Sequence, residues 1–363
     1  MAAAFIDAIG IISGALGIIQ FGMDNLPKQD SVGSTVRITV GLDFDNGLSN
    51  AGGDLPDIHL FNEVGDFLGK VTDPGKVDDG GFGDVMVKHK GNAGDQAAYT
   101  LFSANDDAIC IASATITWPS GDKYGWVGDW GRQCGGSWYF SNIYVGATQV
   151  KPDCLWIDAN GDQPQTGFQV HWPEFSNRNE SKIPDLPADQ ADRINYLCTA
   201  GPPFTMHSQP DVDPQDITHW PPTSSRRSHE RDITPMTSYG PPRSPHSAKY
   251  RRGVRSNNNH PHYRRGNGTS PSVRDMIPVS LVVGDNDKHK AEDLCGSATS
   301  YGPDFANVAS GTFCRMSDKT VWPVCSASVA DNCFNTDAQQ LVVNGVAARD
   351  EPYKKVIDWT SGQ

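Results

Sequence analysis

Between residues 34 and 172, apolar and polar side chains alternate in short runs, and this period of two predicts β-strands. The run STVRITVGLDF places Val36, Ile38 and Val40 on one side of a strand and Arg37 and Thr39 on the other. Further strands are predicted at Ile58–Phe61, Phe67–Val71, Asp84–His89, Ala98–Phe102, Ile109–Trp118, Trp138–Val145 and Phe168–Trp172. Many short strands separated by turn residues favour an antiparallel arrangement. We therefore predict a mainly β fold class, with an antiparallel β-sandwich over residues 34–200.

The first 28 residues, MAAAFIDAIGIISGALGIIQFGMDNLPK, lack this alternation. On a helical wheel one stripe holds Ala3, Asp7, Gly10, Gly14 and Gly17, and the opposite side holds Phe5, Ile9, Ile12, Leu16 and Ile19. This pattern predicts an N-terminal apolar helix over residues 1–28. A stripe of small residues permits close helix packing, so the helix is expected to serve the core, self-assembly or membrane contact. A signal peptide is a further interpretation, although no Lys or Arg precedes Lys28.

From Gly201 to Met276 the periodicity disappears, and Pro, Ser, Asn, His and Arg dominate the sequence. Such a segment buries too little apolar surface to offset its ordering entropy, so residues 201–276 are predicted to be a disordered basic linker. The chain has a net charge of −13, which argues against a general nucleic-acid binder. Residues 221–274 are nevertheless strongly basic, which makes them a candidate for polyanion contact.

The linker also holds three Arg-Arg pairs, which end at Arg227, Arg252 and Arg265. These pairs are predicted processing sites, and an inert solvated linker is the alternative interpretation. Two N-glycosylation sequons, at Asn179 and Asn267, fit exposed positions in a secreted protein.

Periodic order returns at Ile277, and residues 277–363 are predicted to form a small disulfide-stapled β unit. This region includes a hairpin around residues 317–319. Before the linker, a short helix is expected to end near Cys198, with Asp185 or Asp189 as its N-cap.

The chain has an even number of dispersed cysteines and no CxxC spacing, which favours disulfides in an oxidising compartment over buried free thiols. They are Cys110, Cys134, Cys154, Cys198, Cys295, Cys314, Cys325 and Cys333. Four precede the linker and four follow it, so each bridge is expected to stay on one side. Within the second group we expect Cys295–Cys314 and Cys325–Cys333.

Residues 116–156 contain five of the nine tryptophans. Trp126 and Trp130 fall in a Gly- and Asp-rich loop that is either a lid over the core or a contact surface. Together with Tyr124 they are candidate ligand-binding residues, because exposed aromatic rings stack on sugars and contact lipids.

The segments TVRITVGLDFDNGLSNAGGDLPDIHLF, GGSWYFSNIYVG and DCLWID resemble the PLAT/LH2 pattern over residues 34–158. The resemblance implies a β-sandwich that faces lipid or protein and often binds calcium. Its candidate ligands here are Asp43, Asp45, Asp54 and Asp57. The whole chain, above all LCGSATSYGPDFANVASGTFCRMSDKTVWPVCSAS, also resembles uncharacterised secreted proteins of filamentous fungi, which implies an extracellular location.

Clustered Asp residues near Gly turns can supply oxygen ligands to calcium, but they also form turns without any metal. A second such cluster, at residues 158–162, is a further calcium candidate.

The sequence has no G-x-S-x-G, HExxH, P-loop or G-x-G-x-x-G motif. His171 lies three residues before Glu174, a spacing more typical of a strand-end contact than of an acid–base pair. We therefore predict a secreted or cell-surface non-catalytic protein that binds a surface, lipid or glycan, or assembles with itself through the N-terminal helix. The alternatives are a secreted hydrolase of polysaccharide or lipid, and a membrane-active toxin-like or structural protein.

Overall fold

The structure is a computed structural model. It describes residues 9–12, 18–41, 52–78, 80–106, 108–146, 150–176, 189–221, 279–349 and 351–360. Met1–Trp220 and Pro271–Gln363 group into one compact unit. Strands dominate this unit, which confirms the mainly β fold class.

The strands before residue 221 are β1 Ile9–Ile12, β2 Ile18–Phe21, β3 Gly33–Val40, β4 Gly53–Asp54, β5 Asp57–Phe61, β6 Phe67–Val71, β7 Lys76–Val77, β8 Phe82–Lys88, β9 Tyr99–Ser103, β10 Ile109–Thr117, β11 Lys123–Val127, β12 Trp138–Phe140, β13 Asp153–Ile157, β14 Gln165–His171 and β15 Phe204–Ser208. Those after residue 278 are β16 Ser280–Gly284, β17 Asp304–Asn307, β18 Thr312–Arg315, β19 Thr320–Pro323, β20 Cys333–Asn335, β21 Gln340–Val343, β22 Val346–Ala347 and β23 Lys355–Trp359. The described α-helices are α1 Asp129–Gln133, α2 Gln190–Thr199 and α3 Ala291–Gly296, and 3-10 turns span Met23–Asn25 and Trp172–Phe175.

Two antiparallel sheets form the N-terminal part of the unit. One has the order β12-β13-β10-β3-β8, with β11 also paired to β10, and the other has the order β15-β14-β9-β5-β6. Apolar residues at alternate positions fill the space between them, as the period of two predicts. The ring of Trp126, on β11, stacks on Phe168 of β14 at 4.7 Å, and Phe168 stacks on Phe102 of β9 at the same distance. These rings join the two sheets.

The predicted N-terminal apolar helix over residues 1–28 is wrong. The described residues there form an antiparallel hairpin in which Ile9 pairs with Phe21 and Ile12 with Ile18. Isoleucine-rich segments favour strands, and glycines at 10, 14 and 17 disfavour a helix. The hairpin packs on the core, because Ile19 is fully buried and Ile12 O accepts a hydrogen bond from the Trp130 indole at 2.7 Å.

Part of the predicted linker is also ordered, so its boundary at residue 201 is too early. Phe204–Ser208 form the edge strand β15, which pairs with β14. Phe204 and Met206 alternate with Thr205 and His207, but a run of four residues is too short to predict a strand. Residues 209–220, here called the strap, continue across the five-stranded sheet.

The strap is held by side chains of the strands beneath it. Gln169 of β14 bonds both ways with the backbone of Thr218, at 2.8 Å in each direction. The hydroxyl of Tyr99, on β9, accepts from the backbone N–H of Trp220 at 3.0 Å.

The C-terminal part contains a five-stranded sheet in the order β19-β18-β17-β16-β23 and a smaller one in the order β20-β21-β22. Strand β16 pairs in parallel with both β17 and β23, and α3 lies in the crossover from β16 to β17. The predicted hairpin is present as β18 and β19, with Lys319 in the turn at φ 56°. The larger hydrophobic core includes residues from both the N-terminal and the C-terminal parts.

All eight cysteines form disulfides, as predicted. The pairs are Cys110–Cys154, Cys134–Cys198, Cys295–Cys314 and Cys325–Cys333. Both bridges expected in the second group are confirmed, and each bridge stays on one side of residues 222–278. Four disulfides indicate an oxidising compartment. Within the described ranges, no helix has the length and apolar content needed to cross a bilayer.

Candidate functional site

The aromatic residues predicted to bind a ligand are mostly core residues. Trp126 and Trp130 are each 0% exposed, and Tyr124 is half-buried against Trp118, with ring centroids 4.5 Å apart. The predicted loop is instead strand β11 followed by helix α1. Pairing of β11 with β10 turns Trp126 into the space between the sheets, and α1 directs Trp130 toward the N-terminal hairpin. Neither ring is available for stacking on a ligand.

The predicted calcium ligands are not gathered into a site in the described residues. Asp54 pairs with Lys76 at 2.9 Å, and Asp57 accepts hydrogen bonds from the Asp73 backbone and the Asn105 amide. Asp43 and Asp45 lie outside the described residues. Within the described parts, no group of three His, Cys, Asp or Glu residues is arranged to hold a metal.

The second acidic cluster serves as a turn. Asp158 Oδ2 accepts from the backbone N–H groups of Gly161 and Asp162 at 2.8 and 2.6 Å. This is the ordinary role of an Asp at a turn.

A different group of residues comes together where β14 ends. His171 is the last residue of β14, and it is 4% exposed. Its Nε2 lies 2.8 Å from Glu63 Oε2, and its Nδ1 lies 3.0 Å from Glu174 Oε2. Glu63 follows β5, the strand two places away in the same sheet, and Glu174 lies in the 3-10 turn after His171. The imidazole therefore sits between two carboxylates that come from different parts of the chain.

Glu174 is the buried acid of this group, at 1% exposure. Its Oε1 accepts hydrogen bonds from the Tyr196 hydroxyl at 3.0 Å and from the Trp220 indole N–H at 3.1 Å. With the ion pair to His171, the carboxylate faces three donor groups. This many donors offset the cost of burying a charge.

Tyr196 and Trp220 lie closer to solvent and are half-buried. Their ring planes differ by only 13°, and their centroids are 6.3 Å apart. That separation exceeds a face-to-face stack, so the rings are offset and neither covers the other. The Tyr99 ring stacks on the His171 imidazole, with centroids 4.2 Å apart. We call Tyr196, Trp220, His171 and Glu63 the aromatic platform.

Charge and burial act in opposite directions on His171. Burial alone would lower its pKa, but the contacts to Glu174 and Glu63 outweigh this and raise the pKa above the ordinary value of 6.5. The Glu63 side chain is 56% exposed, so the outer side of the imidazole is covered by a carboxylate that lies in water.

This arrangement limits the possible chemistry. Glycosidases place a sugar between two carboxylates, whereas here the His171 ring fills that space. Oε1 of Glu174 accepts two hydrogen bonds and its Oε2 faces His171, so both oxygens are turned inward, and a ligand would meet Glu63, the edge of His171 and the two aromatic rings.

No sequence pattern predicts this site. Its members lie at positions 63, 171, 174, 196 and 220, and no local spacing connects them. The one usable signal was the interval from His171 to Glu174. The strand-end contact expected there is present, and the sequence contained no sign of the aromatic partners.

A second cluster of buried acids lies at helix α1. Asp129 is 1% exposed, and its Oδ2 has no hydrogen-bond partner among the described residues. Arg132, one turn later, pairs with Asp153 at 3.0 Å and with Asp293 at 3.2 Å. Burial and the nearby Asp153 raise the pKa of Asp129 well above its ordinary value. Burial also raises the pKa of Asp153 to about 6, although Arg132 opposes the shift.

The remaining predicted positions lie outside the described residues. They are the sequons at Asn179 and Asn267, the processing sites at Arg227, Arg252 and Arg265, and residues 222–274 of the basic linker.

No family model matches this chain, and a search of curated proteins found no match.

Proposed function

We propose that the protein is a secreted, non-catalytic glycan-binding protein whose ligand lies on the aromatic platform. The carrying observation is the pair of near-parallel, offset rings of Tyr196 and Trp220, whose polar edges are both fixed by the buried Glu174. The location outside the cell is part of the proposal, and the four disulfides support it.

Fixed aromatic faces suit sugar binding for a physical reason. Tyr and Trp offer large amphipathic contact areas and lose little side-chain entropy on binding. Here that loss is smaller still, because the hydroxyl of Tyr196 and the indole N–H of Trp220 are already bonded to Glu174. Preorganisation of this kind raises affinity by lowering the ordering cost.

The polar part of the platform favours a glycan over a lipid surface. Glu63 is a solvent-exposed acceptor for sugar hydroxyls, and His171 supplies a ring edge beside it. A carboxylate at the centre of a lipid contact would have to lose its hydration, which costs free energy. An antiparallel β-sandwich of the PLAT/LH2 kind remains our proposal for the arrangement of the two main sheets.

A hydrolase is the second candidate, and one observation favours it. The buried Glu174 faces Nδ1 of His171 at 3.0 Å and leaves Nε2 toward the exposed side, the arrangement of a carboxylate that orients a general base. In this alternative Glu63 would swing away to admit substrate.

The test is affinity electrophoresis of the native protein through gels that contain neutral or anionic polysaccharides. Retardation by at least one neutral polysaccharide is expected, and Trp220→Ala and Glu63→Gln should each weaken it about tenfold. Trp322→Ala is the matched control, because Trp322 is also half-buried but lies on β19.

Three outcomes would count against the proposal. Equal retardation of Trp220→Ala and the control would mean that the aromatic platform is not the binding site. Retardation by anionic polymers alone, abolished by salt, would point to the basic segment 221–274 instead. Release of new reducing ends that His171→Gln abolishes would favour the hydrolase.

A further inference from the structure

The peptide chain between residues 221 and 279 is the one covalent link between the N-terminal and C-terminal parts. The four disulfides use all eight cysteines, and none joins the two sides. Whatever holds residues 279–360 against residues 9–221 is therefore non-covalent, apart from the connecting segment. The strength of that contact decides what a cut in the segment would do.

Backbone hydrogen bonds form the first layer of the contact. Trp138, on β12, pairs in parallel with Ser300. The N–H of Trp138 donates to Thr299 O at 3.2 Å, and the N–H of Tyr301 donates to Trp138 O at 2.8 Å. The C-terminal part thus extends the edge of the six-stranded sheet by a short bridge.

Side-chain donors of the N-terminal part form the second layer. The indole N–H of Trp138 donates to Ser297 Oγ at 2.9 Å, and that of Trp156 donates to Tyr301 O at 2.8 Å. A third bond runs from the Tyr139 hydroxyl to Pro303 O at 3.0 Å. Each of these donors would lose its partner if the parts separated.

Buried rings form the third layer. Phe140 stacks on His289 at 4.5 Å, and its ring lies 5.4 Å from that of Phe305. Tyr139 lies edge-on to Phe305 and Trp359, at 6.5 Å from each. Tyr139 and Phe305 are 0% exposed, so the contact is as dry as the core of a single domain.

One charged contact crosses at the rim. Arg132 reaches Asp293 of α3 at 3.2 Å while its guanidinium lies 3.9 Å above the Trp138 ring. The Asp293 side chain is 38% exposed, so this pair adds orientation more than affinity.

We propose that the chain is the precursor of a non-covalent two-chain protein. A protease specific for paired basic residues would cut after Arg227, Arg252 or Arg265, and residues 279–360 would stay docked on residues 9–221. In each cut, water adds across the peptide bond after the second arginine. The products are a new carboxyl terminus on that arginine and a new amino terminus at Ser228, Gly253 or Gly266.

The order of the disulfides makes this outcome possible. Both C-terminal bridges close short loops, with sequence separations of 19 and 8, so the C-terminal fragment keeps both of its disulfides after cleavage. Separation would expose the buried rings listed above, which is why the two chains are expected to remain together.

The experiment uses the full chain with a recognition sequence for a site-specific protease inserted between Gly240 and Pro241. After complete cleavage, both fragments should elute together in size-exclusion chromatography at micromolar concentration. Without any reductant they should separate into two bands on a denaturing gel. Separate elution of the fragments under native conditions would overturn docking.

A pair of glycine variants sharpens the result. A Cβ on Gly302 would lie 2.2–2.7 Å from the Tyr139 ring, whereas a Cβ on Gly296 would meet nothing within 4 Å. After cleavage, the dissociation constant of the two fragments should be at least tenfold higher in the Gly302→Ala variant than in the Gly296→Ala variant. Equal dissociation constants would contradict the assigned interface. Thermal unfolding of the uncut variants checks that both are folded.

Processing itself is tested by the intact mass of the protein secreted by its own host. A fragment that begins at Ser228, Gly253 or Gly266 supports the proposal. A single uncut chain would overturn the processing step.

Discussion

Glu174 and Asp129 are both carboxylates at 1% exposure, yet their surroundings differ in one decisive way. Oε1 of Glu174 accepts hydrogen bonds from Tyr196 and Trp220, and its Oε2 is ion-paired with the imidazole of His171. Oδ2 of Asp129 has no partner among the described residues, and a second acid, Asp153, lies nearby. At equal burial, Glu174 therefore has an ion-pair partner and two side-chain donors, whereas Asp129 has a second acid beside it, and we expect the two carboxylates to affect stability in opposite directions.

The two sites therefore respond differently to protons. At the platform burial lowers the pKa of His171, but the two acids on either side outweigh this and raise it, which favours the charged imidazole. At helix α1 the pKa of Asp129 is raised by burial and by Asp153, so the protonated form is favoured there. Three substitutions test this contrast.

The largest effect is expected from Glu174→Ala. It removes the carboxylate that accepts from the Tyr196 hydroxyl and the Trp220 indole, and the inner ion-pair partner of His171, whose Nε2 keeps its contact with Glu63. The free energy of unfolding should therefore fall by about 3 kcal/mol. Urea unfolding measures it, with the exposed Glu292→Ala as control. Glu174→Gln keeps the shape and one acceptor oxygen and should lose less. Equal stability of Glu174→Ala and the control would mean that the donors find other partners.

His171→Gln should show an intermediate effect that depends on pH. A raised folded-state pKa means that the charged contacts stabilise the fold fully below pH 6.5 and are lost as pH rises through the folded value. The variant should therefore be less stable than the wild type by about 1–2 kcal/mol at pH 5.5, and the gap should narrow at pH 9. Denaturant unfolding at the two pH values measures the difference in the free energy of unfolding between variant and wild type. A difference that does not change with pH would mean that the charge of His171 does not stabilise the fold.

The smallest effect, and the only gain, is expected from Asp129→Asn. Because the folded state holds the proton more tightly, stability falls as pH rises from the ordinary pKa to the raised one and stays low above it. The neutral amide removes that loss, so the variant should gain about 1 kcal/mol at pH 7, or about 2 °C in Tm, and little at pH 4. The exposed Asp78→Asn is the control. A loss at pH 7 would show that the carboxylate is needed as an acceptor.

Much of the strand pattern was predictable because one buried face imposes a period of two. Strands β5 and β6 lie at nearly the predicted bounds, and Asp189, one of the two proposed N-caps, accepts from the backbone of Ala191 and Asp192. The N-terminal hairpin was not predictable in this way. Its residues are apolar on both faces, so a helical wheel and a strand ladder fit them equally well.

Sequence patterns failed at the sites for a different reason. Trp126 and Trp130 are identical in sequence whether they stack on a ligand or fill a core, and only the pairing of β11 with β10 decides between the two. The platform joins residues up to 157 positions apart, and tertiary contacts alone create it.

The tryptophans at the contact between the two parts give the molecule a built-in optical signal. Trp138 and Trp156 are dry, and both indoles donate to groups beyond residue 278. Trp126 and Trp130 are equally buried, but Trp126 stacks on Phe168 and the Trp130 indole donates to Ile12 O, both within the N-terminal part. Departure of the C-terminal part would hydrate the first pair and leave the second pair unchanged. Intrinsic emission would then shift partly to the red before the rest of the fold melts, which separates undocking from unfolding without any added label.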